Sequence, residues 1–322
     1  MELNAIYYVT SSVYLLISVA TAAVNIPLMI FLVRNERSRE DIVSMVMLSQ
    51  IFSDLGHGTV VTFFRSFPWP FLSNGIVTFT SCAVKLCFDV AAWHIATMAA
   101  LKCYIIVKPM TYSTVLTPRL RNVIIFTIWA IPITLMSGNL AGGLRFMKDD
   151  TKGDYFSAPT GNLKAFLSLH YSELITELPP IVIVLFSYTK ILLVVRKHQL
   201  TVGNVVATGI AAPSTDPPLH HHHQGGWAAS VKSAKSLLLI TVAYYVGFIP
   251  SVLIVQIPGV SVPLWYIFFS STLLFLTPLT NASFYILFYG KTTRRDFHRM
   301  FCRWFGNEHA AGVDSTKSTS VK

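Results

Sequence analysis

Apolar residues in this chain come in blocks too long for strands and too unbroken for helices with a wet face. A helix needs ~20 apolar residues to cross the hydrocarbon of a bilayer. Seven stretches meet that length, at 8–33, 42–64, 76–107, 123–140, 166–195, 231–257 and 262–289. The third carries Lys85, Asp89 and His94 inside its apolar run. An ionised side chain at the bilayer centre costs at least ~2.5–3.5 kcal/mol, so these groups must face protein or a water-filled cavity. Lys85 and Asp89 stand four residues apart, on one helix face, where each partly neutralises the other. The pattern predicts an all-α membrane protein, a seven-transmembrane helix bundle packed around the third helix, whose polar face looks into a cavity near the outer surface.

The connections are short except two. Residues 141–164 are rich in glycine and charge and read as an outer loop over that cavity. Residues 199–227 contain Gly203, Gly209, Pro213, Pro217 and Pro218 and read as a flexible cytoplasmic linker. Its histidine tract, His220 to His223, has metal-binding side chains but no cysteine nearby and only Asp216 as an acid, and no metal or cofactor is implied. Residues 1–7 form a short extracellular N-terminus ahead of the 8–289 bundle. After the bundle, residues 290–305 place Phe297, Met300, Phe301, Trp304 and Phe305 on one helical face and Arg294, Arg295, His298 and Arg299 on the other. That describes an amphipathic helix on the inner leaflet, its basic residues near anionic membrane lipid. Cys302 beside it is either a lipidation site or a free interfacial thiol. Residues 306–322 turn polar and rich in serine and threonine, the composition of a disordered cytoplasmic tail.

Composition agrees, with 53% apolar residues, 12% charged and a mean hydropathy of +0.55. The net charge of +10 raises a nucleic-acid reading, which the placement of the 25 lysines and arginines removes. Lys85, Lys102 and Lys190 lie in spans. Arg65, Arg145, Lys148, Lys152 and Lys164 lie in segments assigned outside, and the other seventeen are counted inside, Lys232 and Lys235 among them at the inner end of the sixth stretch, as the positive-inside rule requires. The N-terminus is then outside and the C-terminus cytoplasmic. None of the four cysteines, Cys82, Cys87, Cys103 and Cys302, lies in an outer loop, so no disulfide framework is implied. No nucleophile constellation or paired His/Glu metal motif suggests an enzyme.

Punctuation within the spans is more selective. Asn25, Asp54, Trp129 with Pro132, Pro180 followed by Tyr188, Gly247-Phe248-Ile249-Pro250 and Asn281-Ala282-Ser283-Phe284-Tyr285 occur in that order. Together they resemble the rhodopsin-like class of G-protein-coupled receptors over nearly the whole chain. The region from Lys108 to Thr117 and the tail helix resemble invertebrate peptide or chemosensory receptors of that class.

The resemblance implies a plasma-membrane receptor whose partners are an extracellular ligand and a heterotrimeric G protein. Asn25, Asp54 and Asn281 would form a polar cluster, Phe248 an aromatic toggle, Pro250 a hinge, and Tyr188 and Tyr285 tyrosines that swing inward on activation. The acidic-Arg-Tyr motif that faces the G protein falls on Lys102-Cys103-Tyr104, so both the arginine and its neighbouring acid are missing. Ala282 stands where the seventh-span motif has proline, with Pro278 one turn earlier.

By the same alignment Glu173 and Glu177, again one turn apart, line the outer cavity with Lys85 and Asp89, and Arg65 sits near its mouth. These charges either pair to hold the third and fifth spans together or receive a cationic group, with Trp93, Phe248 and Trp265 around it. Asp54, a carboxylate deep in a span, is a functional-site candidate or an interhelical tie. His94 reads as an interhelical hydrogen bond. A transporter or channel using the buried charges, and a receptor silent toward G proteins, are the alternatives.

Overall fold

The computed structural model describes residues 2–36, 40–66, 74–109, 111–149, 163–207, 231, 234, 237–246, 264–288 and 295–300. Its long helices are α1 (Glu2–Arg34), α2 (Ile42–Leu55), α3 (Asn74–Val107), α4 (Pro118–Asp149), α5 (Leu163–Ala207), α6 (Leu237–Val246) and α7 (Leu264–Phe288). No strand occurs among the described residues. Helices satisfy their own backbone groups, which hydrocarbon cannot do, and they tolerate Pro27, Pro132, Pro179, Pro180 and Pro278 within the bundle. Four of them are long and apolar enough to cross a membrane by themselves among the described residues: 8–34, 82–107, 118–137 and 176–200.

The third helix is the axis of the bundle. It packs against α2, α4 and α5, while α1 packs against α2 and α7. Along α3, Phe88, Val90, Ile95, Met98 and Leu101 are buried together with Ala91, Ala92, Ala96 and Ala99. The alanines matter because association in lipid depends on close backbone approach and small residues allow it. Peripheral helices turn large apolar groups outward, including Phe126, Leu16 and Leu192, each more than two-thirds exposed. In water that surface would drive aggregation, whereas in lipid it is the required outer face.

Hydrogen bonds tie the helices in register. Trp129 Nε1 on α4 donates to Ser49 Oγ on α2 (2.9 Å), and Ser49 Oγ lies 2.9 Å from His94 Nε2 on α3. The other ring nitrogen of His94 is 2.7 Å from the Val90 carbonyl, which only accepts. Nδ1 therefore carries the proton, Nε2 accepts from Ser49, and His94 is fully satisfied as an interhelical bridge.

Several elements depart from the sequence expectation. Helix α4 continues to Asp149 and α5 begins at Leu163, so part of the expected outer loop is helical at both ends. Helix α5 also runs to Ala207, two turns into the segment read as a linker. Glycine alone does not stop a helix whose other residues favour it. Between α2 and the short helix Thr62–Arg65, residues Gly56–Val61 form a π-helical turn. Two glycines permit the wider turn, and hydroxyls bind carbonyls it displaces: Thr59 Oγ1 donates to the Leu55 carbonyl and Thr62 Oγ1 to that of His57 (3.0 Å). Ser18 of α1 donates to the Thr59 carbonyl (3.0 Å). The six-residue helix at 295–300 presents Phe297 to Phe31 of α1 edge-on (5.5 Å).

A Cβ at Gly58 would collide with the side chain of Thr21. Gly58→Ala is therefore expected to lower stability by ~1–3 kcal/mol, the usual cost of overpacking. Thr21→Ala in the same chain should recover part of the loss in thermal unfolding of detergent-solubilised protein, whereas Gly56→Ala, with nothing within 4 Å of its added carbon, should not need it.

Candidate functional site

Polar groups gather along the inner seams of α1, α2, α3 and α7. Asn25, Asp54 and Asn281, predicted to cluster, are all buried. Asn281 Nδ2 donates to Asp54 Oδ2 (3.2 Å), tying α7 to α2. Asn25 Nδ2 reaches the carbonyls of Thr21 (3.1 Å) and Pro278 (3.3 Å), tying α1 to the proline turn of α7.

The two tyrosines named from the sequence each have a partner on another helix. Tyr285 Oη donates to Gln50 Oε1 (2.8 Å) and lies 3.6 Å from Met98 Sδ. Tyr188 Oη and Thr241 Oγ1 of α6 are 3.3 Å apart.

One turn above Asp54, the ring of His57 is buried between Phe88 of α3 (4.6 Å) and Phe275 of α7 (5.4 Å), and Phe275 in turn packs on Tyr14 of α1 (4.8 Å). Sequence reasoning missed His57 and Gln50, although both interrupt the same apolar run as Asp54. It also missed Tyr244, fully buried on α6, which donates to the carbonyl of Phe88 (2.9 Å). Tyr244 lies in the combined field of Glu177, Asp89 and Asp54. Nothing in a run of aromatic and apolar residues distinguishes such a tyrosine from packing.

Lys85 Nζ lies 3.3 Å from Asp89 Oδ1, with Asp89 1% exposed and Lys85 partly open. Glu177, at the start of the apolar part of α5, is also buried. Trp93 packs half-buried in the main core, its Nε1 buried without a hydrogen-bond partner among the described residues. Trp265 does not join this group. It is 68% exposed in the first turn of α7 and leans on Tyr266 (5.9 Å). The side chains of Glu173 and Arg65, and all of Phe248, Pro250 and Cys302, lie outside the described residues.

At the opposite end of α3, Cys103 is half-buried beside a small apolar cluster of Ile106, Ile191 and Ala234. Tyr104 Oη and Thr111 Oγ1 are 3.2 Å apart. The thiols of Cys82, Cys87 and Cys103 are free.

This bundle has an axial third helix and polar seams leading to α7. The chain matches the family described as "7 transmembrane receptor (rhodopsin family)" over residues 24–281, and it belongs to that family. It is a multi-pass membrane protein of the G-protein-coupled receptor class, a receptor for signal transduction. A comparison with curated proteins finds no match.

Double-mutant cycles in membrane helices give about 0.6 kcal/mol per hydrogen bond and at most ~1.7 kcal/mol. The Tyr285–Gln50 bond should fall in that range: Gln50→Leu and Tyr285→Phe each destabilise the bundle, and the double variant less than their sum. Unfolding equilibria in bicelles would measure it, and strict additivity would mean that the bond contributes nothing.

Proposed function

We propose that this receptor binds a cationic small molecule or a basic peptide in an outer cavity floored by Asp89, Lys85 and Glu177, with Glu173 and Arg65 nearer the mouth and Trp93 and Phe248 as aromatic walls. The single observation that carries the reading is the buried Asp89 on α3, paired at 3.3 Å with a lysine that remains partly open. A carboxylate so enclosed needs a cation, and a ligand amine is able to displace or share the one it has. Aromatic faces stabilise the same charge.

Ligand binding would shift a two-state bundle equilibrium. The exchange would run through the polar cluster of Asn25, Asp54 and Asn281 and release Tyr188 from Thr241 and Tyr285 from Gln50. Motion of α6 about Pro250 would then open the face formed by Lys102, Cys103 and Tyr104 to a heterotrimeric G protein. The assignment places the outer cavity and the N-terminus outside the cell, at the plasma membrane, with the basic end of the bundle and a Cys302-anchored amphipathic helix at the inner leaflet.

Cys103 favours one variant of this reading, a weak coupler. An uncharged thiol against Ile106, Ile191 and Ala234 gives a G protein no cation to receive. The family match leaves the transporter alternative without support.

The test is a panel of protonated amines and Lys- or Arg-containing peptides, read by G-protein nucleotide exchange. Truncating one partner of a buried ion pair costs ~2–5 kcal/mol, so Asp89→Asn should raise the half-maximal concentration by about thirtyfold or more. Cys103→Arg should raise the signal at saturation. Activation by neutral or anionic compounds alone, with the Asp89 variant unaffected, would refute the ligand class.

A further inference from the structure

One carboxylate at the basic end of the bundle has three neighbours that belong to three different segments. Asp41 caps α2: its Oδ2 accepts from the Ser44 amide (3.0 Å) and from Ser44 Oγ (2.7 Å). Its Oδ1 accepts from the Tyr112 hydroxyl (3.3 Å), seventy-one residues away, in the short helix Tyr112–Val115 that joins α3 to α4.

The third neighbour is Lys102 of α3, half-buried and within electrostatic reach of Asp41. Lys102 occupies the place where the sequence lacks an acid. The carboxylate and the lysine therefore stand on α2 and α3 respectively, and Tyr112 bridges back to the carboxylate.

We propose that Asp41 is the positioning residue for the inner face, holding the Tyr112–Val115 helix against the ends of α2 and α3 in place of the acid that α3 does not supply. The helix N-terminus of α2 favours a negative charge at this point. Burial, the Asp41 charge and the Asp41 hydrogen bond together push the Tyr112 phenol up to about 12, so the hydroxyl keeps its proton and stays a donor. Among the described residues the segment's other side-chain bonds are local: Thr111 to the Lys108 carbonyl, Thr114 to that of Thr111, Tyr104 with Thr111, and the Leu120 amide to Thr117 Oγ1. Tyr112 is also the residue of the segment that, with Leu116, packs on the main core. The role in coupling rests on the receptor reading given above, whereas the clamp itself does not.

Hydrogen–deuterium exchange of the full chain in nanodiscs tests the clamp directly. Asp41→Asn keeps a good helix cap but removes the charge, so amides at 108–117 should exchange about tenfold faster, the equivalent of one charge-assisted hydrogen bond, while the first turn of α2 stays protected. Tyr112→Phe removes the bridge with the smallest risk to folding and should reproduce the faster exchange. Unchanged exchange at 108–117 in both Asp41→Asn and Tyr112→Phe would overturn the clamp.

Basal nucleotide exchange by added heterotrimeric G protein, measured on the same samples, tests its consequence. Release of the segment should change the basal rate by threefold or more. Faster amide exchange with an unchanged, measurable nucleotide rate would overturn the positioning role in coupling. No nucleotide exchange in any variant, Cys103→Arg included, would count against the coupling reading while the amide exchange still decides the clamp.

Discussion

A polar side chain inside a bilayer has to find its partner within the protein, and this bundle is arranged by that constraint. Asp54 finds Asn281, Asn25 finds two backbone carbonyls, His94 finds Ser49 and Val90, and Asp89 finds Lys85. The bonds of Asp54 to Asn281, Asn25 to the Pro278 carbonyl and His94 to Ser49 join helices that would otherwise be held only by van der Waals packing, whereas Lys85–Asp89, Asn25 to Thr21 and His94 to Val90 stay within one helix. Individually such bonds are weak, because an unfolded helix in lipid also finds partners. The bundle is thus held by many modest ties rather than by a few strong ones.

The inner end of the bundle follows different physics. Apolar residues surround Cys103 there, and one carboxylate stands at the head of α2, where the helix dipole and a serine hydroxyl favour negative charge. A charge at a helix N-terminus is secured by the backbone, so it tolerates change elsewhere better than a charge placed in mid-helix.

Residues that break an apolar run were legible from the sequence because their cost in hydrocarbon makes them conspicuous. Asp54, Asn281 and His94 are of this kind, and the pairing of Asp54 with Asn281 lies in the structure. Tyr244 and Trp265 were not legible, for a common reason: aromatic side chains are nearly indifferent to whether they face lipid or protein, so position alone decides. Tyr244 proves to be fully buried and Trp265 68% exposed. Asp41 was hidden differently, since a charged residue in a short connection looks like ordinary solvated surface until Tyr112 is brought to it by the fold. The lengths of α4 and α5 exceeded their hydropathy because a helix, once nucleated in the bilayer, continues into polar residues that have adequate propensity.

The π-helical turn at Gly56–Val61 amounts to a single extra residue inside α2. Each residue of an α-helix advances the azimuth by about 100°, so everything beyond the turn, Thr62–Arg65 included, is rotated by roughly that angle relative to an uninterrupted α2. Loss or gain of one residue here would turn the stretch beyond Val61 while leaving Asp54 and Gln50 in register before it. One residue inserted or removed at the turn therefore acts as a rotation of a short terminal stretch, not as a change in the packing of the helix below it.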